Sequence, residues 1–247
     1  MVRRDLKSRY VGSAMGFFWS VIHPLVLLVS YTFVFSVINK QPLGAQAGTS
    51  SFAIYLFCGI LPWLLFQETL SRCCNVLVEN SNLITKTLFP SEILPVSVLI
   101  ASLVNHAIGV AIFLCIAIVF LQKLSWLILL LPVYVLSLSL FALGLGWFVS
   151  SVQVFLRDTG QIVSVVLTFW FWLTPILFDE QRIPASLRFL TVLNPVAAVV
   201  TAYRKCLLSL ELPALRPFIC LLIVSLAVFI AGGWFFKFTK RSFADVL

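Results

Sequence analysis

The chain has 247 residues, of which 61% are hydrophobic and 11% are charged, and its mean hydropathy is +1.09. A soluble domain carries about 25% charged residues. The composition therefore excludes a soluble globular domain and predicts a polytopic membrane protein. The formal net charge of +8 does not indicate nucleic-acid binding, because the basic residues lie between apolar runs. Basic loops of this kind orient a membrane protein and contact anionic lipid. The six cysteines show neither CxxC nor metal-ligand spacing with the two histidines, so we interpret them as structural.

The chain begins with a short charged segment that leads directly into a long apolar run. The basic residues of this segment are Arg3, Arg4, Lys7 and Arg9. Apolar residues at helical spacing predict an amphipathic helix over 1–16 that lies in the headgroup layer. As a helix, residues 17–38 extend about 33 Å, enough to cross the hydrocarbon core. This run is too long for a secretory signal peptide, and residues 39–42 offer no small-x-small cleavage site, so we expect it to remain as the first span.

Five further apolar runs follow, which gives six predicted transmembrane helices. The predicted spans are about 17–38, 52–71, 93–121, 126–149, 162–178 and 218–236. Pro62 predicts a kink in the second span. Glu68 and Arg72 stand four residues apart, in the favourable order for a helical ion pair, and are expected to mark the end of that span.

Two of the connecting segments carry structure of their own. Residues 73–92 are amphipathic and too polar to span, and they predict a short cytoplasmic helix, Ser81 to Leu88 within 80–90, that ends before Pro90. Residues 179–217 hold two apolar pieces that do not reach span length, so we expect two short re-entrant helices there. The second piece follows Asn194-Pro195, a good N-cap and first-turn pair.

The basic residues predict the orientation of the chain. Six spans place both termini on one side, and over the termini and short loops that side holds ten Lys and Arg against two on the other. The positive-inside rule therefore predicts that both termini are cytoplasmic.

Several motifs of nucleotide-binding, hydrolytic and metal-dependent proteins are missing from the sequence. It contains no GxxxxGK[ST], HExxH or GxSxG motif and no paired carboxylates within the apolar runs, where Glu68 is the single acid. The chain therefore has no P-loop of its own and offers no catalytic residue or metal site. Ion-coupled carriers place ionisable groups along their path, so this pattern also argues against secondary transport.

The motifs resemble a known family. The opening RRDLKSRYVGSAMGFFWSVIHPLVLLVSYTFVF is similar to that of type-2 ABC exporter permeases, in the branch that exports cell-surface polysaccharides. Further matches follow in the family's order at 59–63, 84–90, Arg157-Asp158, 172–175 and Asn194-Pro195. One departure is His23, where the family more often has Asn, and we interpret this histidine as structural.

The resemblance implies an assembly and a substrate. The permease would form a homodimer with two copies of a separate ABC ATPase subunit. ATP and Mg would bind to that partner, with no cofactor in this chain. The substrate would be an undecaprenyl-type lipid-linked polysaccharide, O-antigen foremost, moved across the bacterial inner membrane. The segment 1–16 would be the interface helix, 80–90 the coupling helix and 179–217 the extracytoplasmic gate.

The resemblance also assigns candidate site residues. ATPase coupling falls to Asn82, Lys86, Phe89, Pro90, Arg3, Arg4 and Lys7. The gate would include Asn194, Pro195 and Tyr203. For the basic residues near the amino terminus, contact with lipid headgroups is an equal alternative, and for Lys86 the alternative is a solvated loop charge.

Aromatic residues are the candidates for the substrate path. Four in a row, Phe169 to Trp172, point in nearly every direction around a helix, so all of them cannot face lipid. The predicted path residues are Trp19, Tyr31, Phe35, Phe169, Trp170, Trp172 and Arg9. Aromatic belts and helix packing remain the alternative for each aromatic residue.

Two other functions stay open at this point. The same fold could export drugs or small lipids, although the short chain favours polysaccharide export. A membrane glycosyltransferase or acyltransferase is a weaker alternative, because it would need acids or histidines clustered at one interface. The sequence does not tell which polysaccharide is carried.

Overall fold

All regular structure in the described part of the chain is helical. The computed structural model describes residues 22, 25–26, 29–30, 33–34, 49, 51–86, 89–122, 125–178, 191 and 194–246. Its continuous helices are α1 (Phe52–Glu79), α2 (Ser81–Lys86), α3 (Ile93–Leu121), α4 (Leu131–Phe155), α5 (Thr159–Leu173), α6 (Pro195–Arg204), α7 (Leu215–Thr239) and α8 (Phe243–Val246). A 3₁₀ turn at Trp126–Leu130 precedes α4, a π-helical turn at Lys205–Ser209 extends α6, and a 3₁₀ turn at Lys240–Ser242 joins α7 to α8. The predicted all-α class is confirmed for these residues.

Four stretches in the described part are long and apolar enough to cross a membrane. They are Phe52–Glu79, Ile93–Val119, Trp126–Phe155 and Leu215–Ser242, and α5 is a shorter apolar helix. Of the first predicted span, only scattered positions are described, as α-helical or π-helical. The interface helix over 1–16 and the first re-entrant piece lie outside the described residues, apart from the helical position 191. The count of six spans therefore stays a prediction.

Two helices extend further than the sequence predicted. Helix α1 passes through Pro62 and continues beyond residue 71 to Glu79, because Cys73, Cys74, Val76 and Leu77 keep an apolar side that is buried in the protein. Residues 150–155, which lie beyond the predicted span over 126–149, belong to α4. Their serines fit a helix because the hydroxyls of Ser150 and Ser151 both donate to the Trp147 carbonyl.

Helix α1 lies at the centre of the described bundle and packs against α3, α4, α5 and α6. Helix α7 packs along α4, and the two backbones meet at Gly144 and Gly232. A Cβ added to Gly232 would lie 2.0 Å from the Gly144 carbonyl oxygen, so only glycine fits there. Small residues permit such close helix contact in membranes, where packing rather than the hydrophobic effect drives association.

Candidate functional site

A row of polar side chains follows one side of α1. Gln67, Ser71, Asn75 and Glu79 recur every four residues and are exposed, whereas most of the helix is buried. Residues four apart share one face of a helix. Polar groups in a membrane span are costly against lipid and usually face protein or a water-filled space. The row therefore marks a polar surface along the second half of α1.

Helix α5 runs antiparallel to α1, and contacts at both ends fix their relative position. At one end, the Gln153 side-chain amide donates to Asn75 Oδ1 at 3.3 Å, and its Oε1 accepts from the Gly160 N–H at 2.8 Å. At the other end, the ring centroids of Phe171 and Trp63 are 5.5 Å apart. Asn75 is therefore level with Gly160, and Trp63 is level with Phe171.

A second polar row on α5 follows from this register. Ser164 and Thr168 continue from Gly160 at four-residue steps, so they lie along the edge of α5 that adjoins α1. Both are exposed, and they are level with Ser71 and Gln67. The opposite edge of α5 is apolar and exposed, and it consists of Ile162, Val165, Val166 and Phe169.

The two rows, apart from the acidic Glu79 at the last position of α1, form what we call the polar face: Gln67, Ser71, Asn75, Ser164 and Thr168. Hydrogen bonds hold Gln67, at one end of the polar face, and Glu68, on the side next to α3, in place. Gln67 Oε1 accepts from the Trp63 indole N–H at 2.7 Å. Beside it, the Asn105 amide of α3 donates to Glu68 Oε1 at 3.0 Å. The polar face thus presents ordered amides and hydroxyls at several depths of the bundle.

A second polar cluster joins the end of α5 to the start of α6. Asn194 is the N-cap of α6, and its Oδ1 accepts from the N–H groups of Val196 at 3.0 Å and Ala197 at 3.3 Å. The same oxygen accepts from the Trp170 indole N–H at 3.0 Å. The Asn194 amide donates to Thr174 Oγ1 at 2.9 Å. One side chain therefore fixes both helix ends.

Arg204, at the other end of α6, is almost entirely buried. Its guanidinium donates to the carbonyl oxygens of Pro175 at 2.5 Å and Ile176 at 2.6 Å. It also lies 3.7 Å from the centroid of the Tyr55 ring, within range of a cation–π contact. Gly59 leaves room for it, because a Cβ there would lie 2.7 Å from an Arg204 nitrogen. Arg204 thus joins α6 to α1 and to the segment after α5.

His106 makes a third connection to α6. Its Nδ1 lies 3.2 Å from the Leu61 carbonyl oxygen and its Nε2 lies 2.8 Å from the Tyr203 hydroxyl. A carbonyl only accepts, so the Nδ1–H donates to Leu61 and Nε2 accepts from Tyr203. We call the set of Asn194, Trp170, Arg204, His106 and their hydrogen-bond partners the α6 junction.

The α6 junction brings together the predicted gate residues. Asn194 and Tyr203 make its hydrogen bonds and Pro195 begins α6. Trp170 belongs to it as well and packs against Phe66. By contrast, Phe169 and Trp172 are 67% and 57% exposed. The four consecutive aromatic residues therefore divide between the interior and the outer surface, as their spacing requires.

The predicted coupling residues that the structure describes lie on α2 and directly after it. Asn82 is exposed on α2, Phe89 is half-buried and Pro90 is exposed. Lys86 is the last residue of α2, and α2 contacts the carboxy-terminal helix α8. The remaining candidates lie outside the described residues: Arg3, Arg4, Lys7, Arg9, Trp19, Tyr31 and Phe35.

Sequence reasoning missed the polar face and the role of Arg204. The four-residue spacing of Gln67, Ser71 and Asn75 was a readable signal, because it sets three polar groups on one side of an apolar helix. Arg204 gave no such signal. It resembled a loop charge, and its burial depends on carbonyl groups that only the fold brings near.

Comparison with known proteins identifies the family. Residues 1–208 match the model of the ABC-2 type transporter membrane domain. The chain belongs to the ABC-2 type transporter family. This confirms the resemblance seen in the sequence, and it makes the chain a transport permease subunit rather than an enzyme.

Curated relatives match over nearly the whole chain. The O-antigen export system permease protein RfbA of Myxococcus xanthus is 30% identical over 247 residues, which cover 99% of this chain and 93% of that protein. A Klebsiella pneumoniae protein of the same name is 25% identical over 100% of this chain and 93% of its own length. The polysialic acid transport protein KpsM of Escherichia coli is 20% identical over 83% of this chain and 78% of its own length.

Proposed function

We propose that this chain is the membrane-spanning permease subunit of an ATP-driven exporter that moves a lipid-linked cell-surface polysaccharide, O-antigen foremost, across the bacterial inner membrane. Its relatives' names support this substrate class. Within the molecule, the proposal rests on the polar face. This face lies on α1 and α5, in a bundle whose other exposed side chains are mostly apolar.

A sugar chain needs a surface of this chemistry. Its hydroxyls both donate and accept hydrogen bonds, and stripping them of water without replacement is costly. Amides and hydroxyls on Gln67, Ser71 and Ser164 offer both donors and acceptors in place of water. An exporter of drugs or small lipids would instead present a mostly apolar pocket to its cargo. The polar face therefore favours the polysaccharide over the apolar alternative.

The working assembly in this proposal is a homodimer with two copies of a separate ATPase, which binds ATP and Mg. The chain has six spans with both termini in the cytoplasm. Helix α2 and the residues after it, with Lys86 and Phe89, dock on the ATPase, and the basic residues of 1–16 contact both the ATPase and the lipid phosphates. Arginine suits the second task because its guanidinium binds phosphate through two parallel hydrogen bonds.

The outer gate in this proposal is α6 together with the piece that precedes it. Helix α6 has ten residues and its π-helical extension has five, together still fewer than the about 20 that a span needs, and this length supports a helix that enters the membrane without crossing it. The α6 junction would hold this gate against α1. Trp19, Tyr31, Phe35, Phe169 and Trp172 remain proposed sugar-stacking residues of the path, and Trp170 and Arg9 remain proposed path residues.

The test measures ATP hydrolysis by the permease co-expressed with its ATPase and reconstituted in nanodiscs, with and without extracted lipid-linked glycan. Glycan should stimulate hydrolysis by the wild type. The double variant Gln67→Leu with Thr168→Val removes two polar groups, at about 0.5–1.5 kcal/mol each, so the stimulation should fall roughly tenfold.

The matched control is Val165→Thr, a substitution of similar size on the apolar edge of α5. It should leave the stimulation unchanged. If glycan never stimulates hydrolysis by the wild-type complex, the proposed function fails. If the double variant and the control behave alike, the polar face is not part of the path.

A further inference from the structure

We propose that the polar face selects an uncharged polysaccharide and disfavours a polymer that carries a carboxylate or phosphate in each repeat. This inference rests on the proposed export function and names its substrate class.

The five residues of the polar face are all neutral, and the α1 row reaches a charged residue only at its end, Glu79. Gln67 and Asn75 supply amides, and Ser71, Ser164 and Thr168 supply hydroxyls. A serine hydroxyl can donate to or accept from a sugar hydroxyl, each amide offers an NH2 that donates and an oxygen that accepts, and Thr168, whose hydroxyl donates to the Ser164 carbonyl, offers an acceptor. A set of this kind tolerates different sugars at each position. They lack the permanent positive charge that a carboxylate or phosphate recruits.

The charges that flank the face do not complement an anion. Over residues 67–79 of α1 the charged residues are Glu68, Arg72 and Glu79, and the whole of α5 has none. Two acids therefore stand against one base along these two helices. Glu68 is also held on the α3 side of the face by its hydrogen bond from Asn105.

A polyanion would meet an electrostatic cost along this route. A charge that leaves water for the low-dielectric interior is costly unless a charged partner compensates it. Arginine or lysine pairs at each depth would compensate a moving row of anions. Arg72 alone supplies that charge along the described face, and Glu68 lies one helical turn away from it. Every anionic repeat would therefore pass at a cost that a neutral repeat avoids.

The experiment compares two probes in the reconstituted complex of the full chain with its ATPase. Both probes are undecaprenyl-pyrophosphate-linked glycans of equal length. One is a neutral polymannose, and the other carries one glucuronate in each repeat. The neutral probe should stimulate ATP hydrolysis about tenfold more than the anionic probe. This difference corresponds to about 1.4 kcal/mol for each uncompensated charge that passes.

Two variants test whether the selectivity lies in the polar face. Ser71→Lys on α1 and Ser164→Lys on α5 each add a positive charge to the face, and each should raise the response to the anionic probe several-fold. Ser71→Gln and Ser164→Gln, which add similar length but no charge at the same positions, are the matched controls and should not. Because two helices carry the test variants, misfolding of one would leave the other as the measurement. The gain should shrink as salt increases, since salt screens exposed charges.

The outcomes separate this inference from the proposed function. Equal stimulation by both probes overturns the charge selectivity and leaves the export function standing. Stimulation by neither probe, in a complex that extracted lipid-linked glycan does stimulate, overturns the charge selectivity alone; if the extracted glycan does not stimulate hydrolysis either, the export function fails as well. If a second copy of the chain covers the face, Ser71→Cys in the intact complex would not react with a water-soluble thiol reagent, and the inference fails. Rapid reaction of Ser71→Cys, slowed by the neutral probe, supports it.

Discussion

Gly59 is the residue on which the Arg204 contact depends. Substituting Gly59→Ala would place a Cβ 2.7 Å from the guanidinium, which is already held by two carbonyl oxygens and the Tyr55 ring. The arginine would have to give up part of these charged hydrogen bonds. We expect a net loss of about 1–3 kcal/mol in the free energy of unfolding, measured as a lower thermal midpoint in detergent.

Gly109→Ala is the control for this substitution. The added Cβ would also meet an atom at 2.7 Å, but that atom is the end of the flexible Leu61 side chain. Alanine also favours the helix by about 1 kcal/mol over glycine. This variant should be nearly neutral. Equal destabilisation by both variants would show that crowding alone, and not the Arg204 contact, sets the cost.

The pair of His106 and Tyr203 gives a second prediction at the residue scale. Tyr203→Phe removes the donor to His106 Nε2 and leaves a buried acceptor unpaired, at a cost of about 1–3 kcal/mol. His106→Leu removes the acceptor. In a double-mutant cycle on thermal stability, the two costs should be less than additive. Full additivity would contradict a direct hydrogen bond between these side chains.

The helices themselves were largely predictable, because apolar runs and their interruptions are local features of the sequence. The run predicted over 93–121 coincides with α3, and the proposed N-cap at Asn194 begins α6. The ends of α1 and α4 were less predictable. Their continuation depends on burial of one apolar side and on serine hydroxyls that return to the helix carbonyls, and a count of polar residues does not reveal either.

The candidate site was predictable only in part, and for the same reason. Asn194 and Tyr203 carried motif signals, whereas the partners that they find in the fold are distant in sequence. Arg204 reaches carbonyl groups 28 and 29 residues away. The pairing of the polar rows on α1 and α5 depends on a register that arises only when the helices pack.

An ion pair connects the start of α3 to the end of α7. Lys240 Nζ lies 2.5 Å from Glu92 Oε1, and the Trp147 indole of α4 donates to the Glu92 carbonyl at 3.3 Å. Partial burial by itself raises the pKa of Glu92. The hydrogen bond from Lys240, a backbone hydrogen bond and the charges of Lys240 and Lys237 outweigh this, so the pKa of Glu92 lies below its ordinary 4.5.

This pair predicts a pH-dependent contribution to stability. A carboxylate whose pKa is lowered by folding stabilises the protein above its ordinary pKa, and loses that effect as the pH falls through the lowered value. Glu92→Gln should therefore reduce the free energy of unfolding at pH 7 by at most about 1 kcal/mol, because both side chains are partly exposed, and this loss is measured as a lower thermal midpoint. The difference from wild type should close as the pH falls below 4.5. A difference that persists in acid would argue against the ion pair as its source.

At the scale of the whole molecule, α1 connects the two ends of the bundle. Its first half contacts the α6 junction through Tyr55 and Leu61, and its second half carries the polar row and leads into α2. Helix α2 contacts α8, whose Phe243 is buried against Phe155 and Phe236. A displacement of α2 therefore has a continuous packed route to α4, α7 and the far end of α1.

The proposed docking of α2 on an ATPase predicts a variant that is folded but uncoupled. Lys86→Glu with Phe89→Ala reverses one charge and removes one ring just beyond α1, while leaving the polar face and the α6 junction untouched. Losing a charged contact and an aromatic anchor at an interface costs about 2–4 kcal/mol, so binding of the ATPase should weaken by well over tenfold. Co-purification of the ATPase and glycan-stimulated hydrolysis should both fall, while the thermal midpoint of the permease alone stays within a few degrees of wild type.

Thr85→Ala, at an exposed position of the same helix, is the matched control and should retain both activities. Comparison of the two double variants separates ATPase coupling from substrate passage. Lys86→Glu with Phe89→Ala should lose the bound ATPase, whereas Gln67→Leu with Thr168→Val should keep the ATPase bound and lose the stimulation by glycan. If the ATPase remains bound to the Lys86→Glu with Phe89→Ala variant and still responds to glycan, α2 and its neighbours are not the docking element. The conformational change of the ATPase would then have to be transmitted through another element, and the packed route from α2 to α1 would have no part in transport.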